Sequence, residues 1–139
     1  MAVPQIENRT ILKDADGKQL VVAERTTLRL TATLLDDAGA AVPSAGLPAL
    51  TLTLYSRDSA TLAIVNSVST VNILNSGRGT VHTSSGLLTV VLDPADNQIL
   101  DNTVDQEWHR ALIEGTYAGG AKSFKSEIDF PVRNLNKVT

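Results

Sequence analysis

Two histidines, His82 and His109, with a scatter of serines and carboxylates, are the groups in this chain that could move protons or attack a carbonyl. A serine hydrolase needs its nucleophile on a strained turn within reach of a base. No Gly-x-Ser-x-Gly elbow occurs, and Ser84 and Ser85 adjoin His82 merely because they share a turn. His109 shares its alternation class with Ala111, Ile113, Gly115 and Tyr117, which predicts a half-buried strand histidine bonded to a neighbour. Carboxylates gather at Asp93, Asp96, Asp101, Asp105 and Glu107. Asp14-Ala15-Asp16-Gly17 opens like a calcium loop, yet the later oxygen ligand and the terminal Glu are missing, so turn capping and solvation are the reading, with a weak surface calcium site as the alternative. Gly77-Arg78-Gly79-Thr80 lacks the Lys-Ser/Thr of a phosphate loop and any helical pattern after it, which leaves Arg78 on a glycine-rich exposed loop. Trp108, the single tryptophan, alternates opposite to His109. It either faces outward beside Arg110 as an interface anchor or packs under the domain's own loops. The residues name no catalytic or metal-ligating group and no cofactor.

The elements that position these groups follow from composition and period. The chain has 139 residues, enough for one domain with a sizeable core. Net charge is −3 and no Lys/Arg stripe is present, which removes the footprint of a nucleic-acid binder. Cysteine is absent, so disulfides and thiolate chemistry are excluded. The opening Met1–Glu7 lacks a basic-then-apolar leader and the apolar runs are too short to span a bilayer, so no cleaved signal and no membrane contact are expected. Charged residues make up only 19%, while Thr, Ser, Val, Leu and Ala dominate, a mix suited to pleated sheets.

Period-2 alternation marks strands at Leu28–Leu34, Leu50–Tyr55 and Leu88–Leu92. Two long extended arms, Glu107–Tyr117 and Ser123–Val132, flank Ala118-Gly119-Gly120-Ala121, a hairpin signal because glycine supplies the positive φ of a tight turn. Residues 56–86 read as short strands or as one helical turn plus a strand, with Val81-His82-Thr83 a short strand between turns. Asp93 as cap and Pro94 at the first helical position predict one helical turn near 94–100 that crosses between sheets. Residues 1–23 form an N-terminal arm or small hairpin. Residues 24–135 form the domain, and 136–139 a tail. The tally of about seven strands predicts an all-β antiparallel sandwich. Its inward set is Leu28, Leu30, Leu34, Leu50, Leu52, Leu54, Leu88, Val90, Leu92, Ile128, Phe130 and Val132.

From Glu24 to Leu135 the order of features resembles a known group. Leu28–Leu34, Leu50–Tyr55, Gly86–Asp96, Gly119–Lys122 and Ile128–Leu135 together look like the small immunoglobulin-like structural proteins of tailed-bacteriophage virions, found on capsids, at head–tail necks and in baseplates. The resemblance implies a single immunoglobulin-like β-sandwich and a non-enzymatic virion component, made in the host cytoplasm, that acts as capsid decoration, cement or neck protein. Its implied partners are other virion proteins, capsid, neck or baseplate subunits, or further copies of the chain. Contacts are then expected from arms and loops: Ile6, Ile11 and Leu12 in the arm, Arg78 in its loop, Trp108, and the Gly119-Gly120 tip. The alternative is a carbohydrate- or receptor-binding module of a tail tip or cell surface, with Trp108, Tyr117 and Tyr55 as stacking platforms.

Overall fold

The computed structural model describes residues 9–11, 18, 20–36 and 38–135, the side chains of 9–11 and 124 excepted. Ile6, Leu12, the Asp14–Gly17 turn and the 136–139 tail lie outside the described residues. In chain order the strands are β1 (Arg9–Ile11), β2 (Val22–Ala23), β3 (Leu28–Thr33), β4 (Ala49–Ser56) and β5 (Val71–Asn72). They continue with β6 (Gly79–Val81), β7 (Leu87–Leu92), β8 (Gln106–Tyr117) and β9 (Lys122–Arg133). The protein is an all-β sandwich: one sheet runs β1-β9-β8-β4-β5 with β2 also on β9, and the other runs β3-β7-β6. Strands β3 to β9 are the seven of the expected sandwich. Their split into a three-strand sheet and a sheet built on β9, β8 and β4 is the division of an immunoglobulin-like domain.

The β8–β9 hairpin carries the larger sheet. Its ladder runs without interruption from Gln106 opposite Arg133 to Tyr117 opposite Lys122. The connection is Ala118 to Ala121, as the sequence predicts, with positive φ at Ala118, Gly119 and Gly120. Alternation then buries His109, Ala111 and Ile113 on β8 and Ile128, Phe130 and Val132 on β9. All twelve residues of the predicted inward set lie in the core. The sequence reading omits Val22, Val42, Leu47, Val65, Val68, Ile73, Val81, Ile99, Ala111, Ile113 and Tyr117, which complete it among the described residues.

Two segments differ from the sequence expectation. β1 and β2 both run parallel to β9, Arg9 opposite Glu127 and Val22 opposite Val132. They therefore point the same way and do not pair with each other as the two arms of a hairpin would; both belong to the 1–23 segment, outside the antiparallel 24–135 sandwich. The second segment is 57–73, which holds no helical turn. It serves as an irregular edge to β4: Leu54 N–H bonds Val68 O, Val65 N–H bonds Leu54 O, Ser56 N–H bonds Ala63 O and Ile73 N–H bonds Leu50 O. Positive φ at Leu62, Asn66, Ser67 and Thr70 lets the chain turn often enough to do this. Buried backbone groups must find partners, and here a loop supplies them in place of a strand.

Between β7 and β8 a short 3₁₀ turn, Pro94–Asn97, crosses from one sheet to the other, shorter than the predicted 94–100. Val81 closes β6, while His82 and Thr83, which the sequence placed on that strand, lie beyond it. Gly79 on β6 is required by close approach: a Cβ there would meet the Ile73 backbone oxygen at 2.0 Å. Gly79→Ala is expected to cost at least about 1–3 kcal/mol, seen as a lower midpoint in urea denaturation. A midpoint equal to that of the unsubstituted protein would show that the Ile73 carbonyl moves aside freely.

Candidate functional site

The outer face of the larger sheet holds the side chains that β8 turns away from the core. Three strands place Tyr55, Arg110 and Asp129 directly opposite one another in one row. Arg110 grips Asp129 with two N–H groups, Nε to Oδ1 at 2.6 Å and Nη2 to Oδ2 at 3.1 Å. Its third nitrogen reaches the Tyr55 hydroxyl at 3.3 Å and Glu127 Oε2 at 3.5 Å. Arg57 adds a bond to Asp129 Oδ2 at 3.0 Å. The hydrogen bonds that Arg110 donates to Asp129 hold its guanidinium above its ordinary value, against the opposing effect of burial.

Trp108 lies one row along, and faces outward beside Arg110. The Arg57 guanidinium sits over its ring at 4.9 Å from the centroid. Arg57 N–H bonds Trp108 O, and Trp108 N–H bonds Asp58 Oδ2 at 2.8 Å, so the turn after β4 holds the Trp108 backbone on both sides. The result is a cross-linked patch in which Trp108, Tyr55 and Arg110 stand on strands and Arg57 reaches over from the turn that follows β4.

The other predicted contact residues are dispersed. Arg78 is drawn inward: its guanidinium clamps Asp96, a fully buried carboxylate, at 2.6 and 2.8 Å, and Asn66 donates to the same carboxylate at 2.8 Å. Ile11 lies on β1 opposite Asp129. Gly119 and Gly120 stand at the hairpin tip with open space around them. Tyr117 is 5% exposed and points into the core, so it cannot act as a stacking platform beside Trp108 and Tyr55.

His109 is fully buried, deeper than predicted, and its Nε2 meets Glu107 Oε1 at 2.7 Å. Glu107 also accepts the N–H groups of Leu100 and Asp101. A cleft of about 380 Å³ opens beside this pair, lined by Ser56, Asp58, Leu100, Asp101 and Glu107. Ser56 stands opposite His109 in the sheet, and His109 Nδ1 has no hydrogen-bond partner among the described residues. Asp58 and Glu107 are occupied in holding backbone N–H groups. Among the described residues no group of three His, Asp or Glu side chains converges as a metal site.

No protein family and no curated protein matches the chain. A solved structure from work on glycolipid glycan hydrolysis by a family 123 glycoside hydrolase of Clostridium perfringens is similar at 12% identity, with a TM-score of 0.37. It covers 83% of this chain and 22% of that one, so this chain spans about a fifth of that protein's length. A likeness at that level carries no argument about activity here.

Two predictions follow from the buried charges. Arg110→Ala takes the doubly bonded partner from the buried Asp129 carboxylate, which keeps its bond from Arg57, and is expected to cost up to about 3–5 kcal/mol. Arg57, with a side chain 36% exposed, is expected to cost about 0–1 kcal/mol and to leave Trp108 more open to acrylamide quenching. Equal losses in urea denaturation would refute the ranking by burial. The second concerns pH. Burial pushes Asp96 and Glu107 up, but it is outweighed by hydrogen bonds from Arg78 and Asn66 to Asp96, and from His109, Leu100 and Asp101 to Glu107. Both carboxyls therefore lie below their ordinary values. The unfolded chain takes up protons first, so stability from these groups is present above roughly pH 4 and is lost as pH falls toward the folded values. Asp96→Asn should flatten the slope of stability against pH in that range; an unchanged slope would remove Asp96 from the account.

Proposed function

We propose that the protein is a non-enzymatic assembly module, an immunoglobulin-like sandwich that binds neighbouring subunits of a phage particle as capsid decoration, cement or neck component. The observation that carries the binding role is the outer-face patch. Trp, Tyr and Arg are the residue types that dominate interface energetics, and here Trp108, Tyr55 and Arg110 on paired strands and Arg57 in the adjoining turn are held by ring contacts and hydrogen bonds, so little side-chain entropy is lost on docking. The resemblance of residues 24–135 to small virion proteins supports the particle as the setting. The carbohydrate-binding alternative has less support, because guanidinium groups cover the Trp108 and Tyr55 rings and Tyr117 faces the core.

The test is mass spectrometry of purified particles produced by the genome that encodes the chain. The chain is expected in fixed ratio to the major capsid protein, and Trp108→Ala is expected to lower its occupancy while the isolated protein keeps its fold by circular dichroism. Absence from the particles would end the proposal. Full occupancy with Trp108→Ala would move the contact elsewhere on the domain.

A further inference from the structure

Sandwich proteins guard the edges of their sheets, because a bare edge offers a row of backbone N–H and C=O groups to any extended chain. Most edges here are guarded. β1 and β2 overlie β9, the 57–73 loop bonds the free side of β4, β5 runs for two residues and β6 for three. β3 differs. Leu28–Thr33 is a six-residue edge strand with no proline, glycine or bulge, and with Arg29 as its one charge.

The phase of its hydrogen bonds is fixed. Leu34 N–H bonds Gly86 O, continuing the register in which Leu28, Leu30 and Ala32 face Leu92, Val90 and Leu88. In an antiparallel ladder the alternate residues direct their backbone groups the other way. Arg29, Thr31 and Thr33 therefore aim N–H and C=O outward, and among the described residues no strand pairs with that side.

We propose that this edge pairs with the β3 edge of a second copy of the chain, antiparallel about a two-fold axis through Thr31. The sequence of the strand is complementary to itself in that register. Thr31 meets its own counterpart, and Arg29 meets Thr33, so no charge opposes a like charge. Each of these outward pairs exchanges both backbone bonds. On the inner face Leu30 meets Ala32 and Leu28 meets Leu34, so apolar groups oppose apolar groups throughout. On the outer face a row of Thr31, Thr89 and Thr80 continues across the junction into its symmetry mate. Shifting the register so that Arg29 meets Arg29 loses two of the three bonded pairs and sets two guanidinium groups face to face. The pairing joins two three-stranded sheets into one and leaves the Trp108 face of each copy open. It stands on the β3 edge alone, and holds whether or not the chain enters a particle.

Sedimentation equilibrium over a concentration series tests it, with single-cysteine cross-linking as the second measurement. The unsubstituted chain is expected to approach twice its monomer mass. Thr31→Lys, which opposes two ammonium groups at the axis, should weaken the dimer by about tenfold or more, and Thr33→Glu, placed against the partner copy's Arg29, should tighten it by a few-fold. Thr31→Pro removes the outward N–H and should give a monomer with unchanged near-ultraviolet circular dichroism. The chain has no cysteine of its own, so Thr31→Cys should form an intermolecular disulfide under mild oxidation, while Thr80→Cys, two strands from the edge, should not. A strictly monomeric protein overturns the proposal. So does a dimer indifferent to Thr31→Lys, or one in which Thr80→Cys cross-links as readily as Thr31→Cys.

Discussion

The parity of the β8–β9 ladder is the constraint on which the rest of the molecule depends. Side chains alternate with period two, so a slip of β8 by one residue against β9 would send His109 and Ile113 to solvent and carry Trp108 and Arg110 into the core. The four-residue connection at Ala118–Ala121 sets the register from one end. Arg110 and Asp129, directly opposite and doubly bonded, set it from the middle. A slipped ladder would strand the Asp129 carboxylate without its guanidinium, so the ion pair acts against wrong registers more than it adds to the stability of the right one.

The same economy recurs at the base of the sandwich. Arg78 reaches from the β5–β6 connection to Asp96 in the 3₁₀ turn between β7 and β8, and Asp96 also accepts the Asp93 N–H that opens that turn. One carboxylate thus fastens the crossing between the two sheets. Glu107 does similar service at the start of β8, tying the 100–101 backbone to His109. Charged groups that looked available for chemistry are spent on joining segments far apart in sequence.

This explains what could and could not be read from the chain. The strands β3, β4, β7, β8 and β9 and their inward faces were legible, because each announces itself through local alternation that only one burial pattern satisfies. Alternation put Trp108 and Arg110 on one face of β8, but the sequence left open whether Trp108 stands outward or packs under the domain's own loops. What covers them was not legible: Arg57 and Asp129 lie 72 positions apart, and only the pairing of β4, β8 and β9 brings them together. Arg78 was misleading, since glycines on both sides made a loop residue look exposed when its guanidinium turns in toward Asp96. The 57–73 segment defeated a local reading because it has no period of its own. Its shape is imposed by the free backbone groups of β4 and by a handful of left-handed residues. The parallel placement of β1 and β2 was hidden for a different reason, since period-2 patterning says that a segment is extended but not which way its neighbour runs.

That placement of β1 and β2 also sets the order in which the molecule can be completed. Both strands bond to β9, and β9 is the last strand of the domain. On a ribosome the earliest segments therefore emerge with nothing to pair with, and the larger sheet closes only when the hairpin that ends the domain has been made. Contacts this distant in sequence slow folding, because the loop entropy is lost before the pairing rewards it. Until then the β3–β7–β6 sheet, whose members are closer in sequence, is the part of the sandwich free to form.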